Sequence, residues 1–358
     1  MKILVDIRLL TRGSQGVGEY TFNMVDNLIK SGSEHQWQLF YNGWRKQPLP
    51  IEWRKMPNVK IYDWRIPNRI FRWLPIAIDR LIKTDLIFSP HIDFLRSYKA
   101  PRILTIHDLS FLHYPNFFSW KHRWWHKMQK VKKQARKATH IITDSEYSKN
   151  DISNTLGISQ EKISVVYPGI NKHAKPLAQN LKFEIKNFKF ILYLGALEPR
   201  KNISAIIKAF NIIKEDSEFE DLKLILAGRI GWLFKQEKQK DIIFWGPATK
   251  EEKVSLYKSA TAFIYPSFFE GFGFPPLEAQ ARGCPVITSN RSSLPEILRD
   301  SAIQINPWRA DQLAEAIKNL LTNKQLAKNL VEKGRENIKR FNWEKCAGQL
   351  LKIFSSYS

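Results

Sequence analysis

The chain begins with a short apolar run, Lys2 to Ile7, followed by a glycine-containing loop and a helix-period segment from Gly18 to Lys30. Similar runs recur at Leu86-Ile-Phe88, Ile103-Leu-Thr-Ile106 and His140-Ile-Ile-Thr143, and Lys162-Ile-Ser-Val-Val-Tyr167 closes the first half. Runs this short and this apolar predict buried strands, and their alternation with helical patterns predicts a parallel sheet covered by helices. From about 171 to 187 the chain is polar, contains Pro176 and has no clear period, as expected of an interdomain linker.

The alternation then restarts. Strands are expected at Phe188 to Leu194, Leu222 to Ala227, Asp241 to Trp245, Ala262 to Tyr265, Pro285-Val-Ile-Thr288 and Ala302-Ile-Gln-Ile305. Helices are expected at Asn202 to Ile213, Lys318 to Lys339 and Trp343 to Phe354. The fold class is α/β: two doubly wound, Rossmann-like domains facing across a cleft lined by the C-terminal ends of their strands. Residues 1–175 form the first domain and 176–340 the second, with 341–358 a last helix packing back on the first.

Composition narrows the partners. The 358 residues are 43% hydrophobic and 25% charged, ordinary for a globular chain long enough for two cores. A formal charge of +23 implies an anionic partner: nucleic acid, acidic lipid or a phosphorylated substrate. Tryptophans beside basic residues, as in Trp44-Arg45, Trp53-Arg54, Trp64-Arg65 and Arg72-Trp73, suit a membrane interface as well as a protein core. Residues 121–137 hold eight Lys or Arg and two His with no acid, and Trp120, Trp124, Met128, Val131 and Ala135 recur at helical spacing. No apolar run approaches the ~18 residues needed to span a bilayer. Met1 to Asp6 reads as a strand, because Asp6 interrupts any signal-peptide core. Cys284 and Cys346 have neither metal-type nor redox-type spacing, which fits a reducing compartment.

The chemistry concentrates in Glu270-Gly-Phe-Gly-Phe-Pro-Pro-Leu-Glu278, which follows a strand and opens a helix. Pro275 and Pro276 suit a first helical turn, Glu278 falls in that turn, and Glu270 stands at the loop entrance. Free N–H groups at a helix start form an anion site. Flanked by two carboxylates, such a site suits a ligand with both phosphates and vicinal hydroxyls, such as a nucleotide sugar.

A second loop, Tyr193-Leu-Gly-Ala-Leu-Glu-Pro-Arg-Lys-Asn202, places Arg200 and Lys201 near a helix start that Asn202 can cap. Thr105-Ile-His-Asp-Leu-Ser110 puts His107 at a strand end, with Asp108 beside it to orient the ring. Gly13-Ser-Gln-Gly-Val-Gly18 is neither G-x-G-x-x-G nor a Walker loop. There is no Asp-x-Asp motif, metal-type cluster or serine-nucleophile elbow, so no metal and no cofactor are expected.

The string Tyr265-Pro-Ser-Phe-Phe-Glu-Gly-Phe-Gly-Phe-Pro-Pro-Leu-Glu-Ala resembles the E-x7-E signature of glycosyltransferase family 4, the retaining, metal-independent transferases of GT-B fold. The resemblance runs from Asp6 to Trp343. It implies that Glu278 holds the ribose diol, that Glu270 holds a hydroxyl of the transferred sugar, and that the backbone of Phe272, Gly273 and Phe274 contacts sugar or phosphate. Lys201 falls where the family's phosphate-binding lysine lies. Many members place an arginine directly after the glycine, where this chain has Ala196; either Arg200 takes over that contact or Lys201 carries most of it. Gly16 and Gly18 belong to a loop similar to the one that closes over the donor diphosphate, and Gly16-Val-Gly-Glu-Tyr20 is close to the version common among mannosyltransferases. His107 matches a histidine used on the donor sugar. Leu226 to Trp232 and Phe244 to Pro247 look like base- and ribose-side loops.

The resemblance implies a hexosyltransferase with His107, Lys201 and Glu270 at the chemistry. The donor is a nucleotide sugar, GDP-mannose before UDP-hexose, and the acceptor is lipid-linked or a polysaccharide. A cytoplasmic location, peripheral at an anionic inner membrane face, follows from the charge. The other reading of that charge, a basic nucleic-acid binder, gives no reason for the Glu270 and Glu278 pair, and no nucleic acid is expected.

Overall fold

The computed structural model describes residues 1–10, 16–43, 49–66, 77–92, 95–171, 188–237 and 239–357. Gly13, Trp44-Arg45, Arg72-Trp73 and the linker expected up to 187, save its first residue, lie outside the described residues. The chain divides into two compact units. One comprises Met1–Leu109, Trp124–Gly169 and Phe341–Ser358; the other comprises Ser110–Arg123 and Ile170–Arg340. The segment 110–123, placed by the sequence reading in the first domain, thus belongs to the second unit.

In the first unit the strands are β1 (Lys2–Asp6), β2 (Gln36–Asn42), β3 (Val59–Trp64), β4 (Leu86–Ser89), β5 (Arg102–Thr105), β6 (His140–Thr143) and β7 (Ile163–Val165). They form one parallel sheet in the order β3-β2-β1-β4-β5-β6-β7. Strands buried on both faces carry no polar alternation, and the residues of β4 are all buried. Helix α1 (Val17–Ser31) turns Tyr20, Met24, Val25, Leu28 and Ile29 inward. Helix α2 (Trp120–Gln129) passes from the second unit into the first at Trp124, and α3 (Val131–Lys137) and α4 (Glu146–Leu156) follow, the last capped by the Ser145 side chain and closed by left-handed Gly157.

The apolar stripe expected from Trp120 to Ala135 is not continuous. Lys130 is left-handed (φ 47°) and separates α2 from α3. Val131 and Ala135 are buried, whereas Trp120, Trp124 and Trp125 are 67%, 59% and 40% exposed. Trp53, expected to suit a membrane interface, is fully buried; its indole N–H donates to Asp26 Oδ1 (3.0 Å) and its ring stacks on Phe22.

In the second unit the strands are β8 (Phe190–Leu194), β9 (Lys223–Ala227), β10 (Ile242–Gly246), β11 (Ala262–Tyr265), β12 (Val286–Ser289) and β13 (Ile303–Ile305). They form a parallel sheet in the order β10-β9-β8-β11-β12-β13. Its helices are α5 (Ile203–Lys214), α6 (Lys250–Ser259), α7 (Phe274–Gln280), α8 (Ala310–Thr322) and α9 (Lys324–Asn337). The single helix expected over Lys318 to Lys339 is two, because Asn323 leaves the helical path and its side chain caps α9 through the Leu326 N–H.

The final helix, α10 (Trp343–Ser355), belongs to the first unit. It buries Cys346, Ala347, Leu350 and Phe354, with Phe354 against Phe88 and Trp343 against Tyr20. Each sheet reverses its strand order once, between β1 and β4 in the first and between β8 and β11 in the second. In doubly wound sheets the loops at this point form the ligand crevice.

Candidate functional site

The second unit brings the sequence-predicted residues together at its reversal point. Lys201 lies on the loop after β8 and Glu270 on the loop after β11. The ammonium of Lys201 donates to Glu270 Oε1 (2.6 Å) and to the Tyr265 hydroxyl (2.7 Å). Arg200 donates to the Phe269 carbonyl (2.9 Å) and to Glu198 Oε1 (3.1 Å), and its guanidinium stands 3.5 Å from Glu270 Oε2. Burial and the Arg200 charge push the Lys201 pKa below its ordinary value, against the pull of Glu270. Burial opposes ionisation of Glu270 as well, yet Lys201 and Arg200 hold its carboxyl below the usual range. The result is a largely buried, charge-balanced knot of two carboxylates, Glu198 and Glu270, and two cations, Arg200 and Lys201.

Serines fix the Glu270 loop. Ser267 Oγ donates to Glu270 Oε1, and Ser292 Oγ accepts from the Glu270 N–H (2.9 Å). Ser293 Oγ donates to the Glu270 and Phe272 carbonyls (2.9 and 3.0 Å). The segment 110–123 supports the same loop with rings: His113 stacks on Phe269 and Phe117 on Phe268, both at short centroid distances (5.5 and 5.3 Å).

Gly273 is left-handed (φ 108°) and sits directly before α7. A Cβ there would also meet the Leu294 side chain at 2.8 Å, so glycine suits both the turn and the space. Helix α7 therefore starts at Phe274, and Glu278 lies one turn further along than the first turn expected for it. Glu278 is half-buried and accepts from the hydroxyl of buried Tyr257 (3.2 Å). Phe272 is buried and its ring meets that of Phe274 edge-on (5.0 Å). Asn202 corrects another expectation: it stands left-handed before α5 but its side chain does not cap the helix. Its amide instead donates to the Pro307 and Pro266 carbonyls (2.6 and 3.2 Å), tying three loops together.

In the first unit His107 stands after β5, but its partner is Asp144, after β6, and not the adjacent Asp108. Nδ1 lies 2.6 Å from Asp144 Oδ2 and Nε2 lies 3.0 Å from the Pro90 carbonyl. Burial disfavours the imidazolium, but Asp144 outweighs it and raises the His107 pKa. Two acceptors facing the two ring nitrogens suit a doubly protonated ring. Gly16 (φ 66°, left-handed) immediately precedes α1, and the first-turn bond runs from the Tyr20 N–H to the Gly16 carbonyl. Gly18 is buried in that turn, and the Tyr20 ring meets His107 edge-on at 4.7 Å. Among the described residues no group of three or more His, Cys, Asp or Glu is placed to hold a metal ion, and no helix is long and apolar enough to cross a membrane.

Sequence reasoning named Lys201, Arg200 and Glu270 without seeing that they pair. It missed Asp144, Tyr257, Ser292 and Ser293, and gave Tyr265 no role. A charged residue ending the His140 to Thr143 run was the available signal for Asp144.

Residues 14–173 match Glycosyltransferase Family 4 and residues 178–337 match Glycosyl transferases group 1. The O-antigen chain mannosyltransferase B of Escherichia coli is 25% identical over 396 residues, covering 99% of each chain. The O-antigen chain mannosyltransferase RfbU of Salmonella typhimurium is 31% identical over 266 residues, covering 69% of this chain and 68% of its own. Among solved structures, sucrose-phosphate synthase from Thermosynechococcus elongatus superposes with a TM-score of 0.77 at 19% identity, over 99% of this chain and 98% of the other. Anabaena HepE, solved with UDP-glucose, gives 0.74 at 16% identity over 99% and 100%. The chain therefore belongs to the group 1 and family 4 glycosyltransferases, and is a hexosyltransferase built from two Rossmann-like domains in the GT-B manner.

Proposed function

We propose that this transferase moves mannose from GDP-mannose to a lipid-linked or polysaccharide acceptor, retaining the anomeric configuration. The carrying observation is the Lys201–Glu270 pair at the reversal point of the second sheet. A departing nucleoside diphosphate carries negative charge, and Lys201 is a buried cation able to offset it without a metal. As phosphate draws Lys201, Glu270 is released to accept from a hydroxyl of the transferred hexose. Glu278 holds the ribose diol, and the backbone of Phe272 to Phe274 faces sugar or phosphate. Arg200, bonded to Phe269 and Glu198, steadies the loop more than it meets phosphate. In the first unit His107 serves a sugar hydroxyl through Nε2, exchanging the Pro90 carbonyl for it, while Gly16 and Gly18 let the backbone approach the donor. The mannosyl choice is supported by the O-antigen mannosyltransferases among the relatives.

The same reading places the protein at an anionic inner membrane face. Lys127, Lys130, Lys133 and Lys137 are exposed, as are Trp120, Trp124 and Trp125. Indole rings and lysines suit a headgroup layer.

The test is turnover with a panel of GDP-mannose, UDP-glucose and UDP-galactose on membrane-extracted acceptors, with anomeric analysis of the product by NMR. GDP-mannose turnover with an α product is expected. Glu278→Ala should weaken donor binding by about 1–3 kcal/mol, the worth of a charged hydrogen bond. Turnover of a UDP-hexose alone would replace the donor, and wild-type donor affinity in Glu278→Ala would remove the site.

A further inference from the structure

Tyr265 ends β11 in a row of buried rings. Phe263 stacks on it along the strand (5.8 Å, 22° between planes) and Tyr193 of neighbouring β8 stacks across it (6.0 Å, 12°). All three are at most 1% exposed. Phe263 shows that this layer accepts a plain phenyl ring, so packing does not require a hydroxyl. A buried hydroxyl is costly unless it is hydrogen-bonded. Each tyrosine here has a partner: Tyr193 donates to the Ala196 carbonyl (2.8 Å), and Tyr265 accepts from Lys201 Nζ (2.7 Å).

A lysine ammonium has three N–H groups on a flexible stem. In Lys201 one goes to Glu270 and one to Tyr265. The two acceptors differ in kind. Glu270 holds the ammonium by neutralising it, which opposes its use against a phosphate. Tyr265 holds it without taking its charge. The phenol stays neutral across the working range, because burial, reinforced by Glu270, pushes its pKa far above the ordinary value.

We propose that Tyr265 is a positioning residue for the transfer reaction: its hydroxyl anchors Lys201 Nζ, leaving the third N–H for a phosphate oxygen of the donor while Glu270 turns to the sugar. This rests on the reading of Lys201 as the diphosphate contact. Tyr265 then keeps the ammonium in place during the interval when Glu270 has let go, which an aromatic core residue does not do.

The test compares Tyr265→Phe, Lys201→Ala and wild type. Turnover of GDP-mannose, or of whichever panel hexose donor the wild type uses, is followed from about pH 6 to 10. Tyr265→Phe should stay folded with a modestly lowered Tm and lose about 10- to 100-fold in kcat, the worth of one hydrogen bond to a charge. Its alkaline limb should move to lower pH, because the hydroxyl favours the charged amine and its removal lowers the Lys201 pKa further. The Lys201 titration, followed in protein labelled with 13Cε-lysine and assigned by its loss in Lys201→Ala, should shift the same way without turnover. An unmoved limb and titration in Tyr265→Phe, with Lys201→Ala inactive, would overturn the positioning role and leave the diphosphate reading standing. Wild-type turnover in Lys201→Ala would remove that reading itself. A lowered Tm with an unmoved limb would make Tyr265 a packing residue only.

Discussion

His107 Nδ1 lies 2.6 Å from Asp144 Oδ2 just beyond the C-terminal ends of the neighbouring strands β5 and β6, with the carboxylate buried and the ring mostly so. Burial raises the Asp144 pKa in spite of His107, so the buried carboxylate is not itself a source of stability, whereas the raised pKa of His107 is a statement about stability. A histidine whose folded pKa exceeds its unfolded value stabilises the fold fully below about 6.5, and that contribution is lost as the pH rises through the folded pKa. Asp144→Asn should therefore destabilise the first unit by about 1.5–3 kcal/mol in mildly acidic solution. The deficit should shrink as the pH rises past neutrality. Urea denaturation at two pH values checks it, and a deficit that grows with pH would refute the assignment of the charge to His107.

The Lys201–Glu270 pair gives a different expectation. Removing one member of a buried pair strands the other, at a cost of about 3–5 kcal/mol. Glu270→Ala should lower stability markedly, and Glu270→Gln less, since the amide still accepts from Lys201. Both should depress turnover more than nucleotide binding. Thermal melts beside kinetics separate the two effects; equal melts for the two variants would mean that Lys201 finds another acceptor.

Gly228 follows β9 and stands against the loop that leads to Lys201. A Cβ at Gly228 would lie 1.7 Å from the Gly195 carbonyl oxygen, a backbone atom that cannot swing aside. Gly228→Ala should force the ends of β8 and β9 apart, costing about 1–3 kcal/mol as overpacking does. It should also reduce activity, although no substrate contact is removed. A variant with wild-type melting and turnover would contradict the contact.

Binding to anionic vesicles, absent with neutral vesicles and released by high salt, is expected of the exposed basic face, since each lysine near such a surface contributes about 1 kcal/mol. Changing Lys127, Lys130, Lys133 and Lys137 to Glu should abolish pelleting and leave donor binding intact. Changing Trp120, Trp124 and Trp125 to Ala should weaken it, because these rings are exposed. Equal pelleting with neutral vesicles would assign the charge to another partner.

The apolar runs made most strands legible, because strands buried on both faces announce themselves. The sequence reading passed over β2 and β3 for a physical reason. Gln38 and Asn42 interrupt the apolar pattern of β2, yet both are buried and tied to backbone: Gln38 Nε2 donates to the Lys83 carbonyl, and Asn42 bonds both the N–H and the carbonyl of Ile66. β3 is an edge strand whose alternation is weak. In the site, Glu270 and Lys201 were legible singly. Their pairing was not, since it depends on β8 lying beside β11, and the two residues are 69 positions apart. Asp108 was chosen over Asp144 for the same reason: nearness in sequence stood in for the adjacency of β5 and β6.

The order in which the two units can be completed follows from the path of the chain. The second unit has all of its residues once synthesis reaches Arg340, including the earlier segment 110–123. The first unit does not, because Cys346, Ala347, Leu350 and Phe354 of α10 complete its core. On the ribosome the first half therefore emerges early and waits, with the surface around Phe88 and Tyr20 unsealed, until the last helix arrives. Domains ordinarily fold N-terminal first during synthesis; here the N-terminal half is the later to close, and the nascent chain carries an open apolar face throughout synthesis of the second unit.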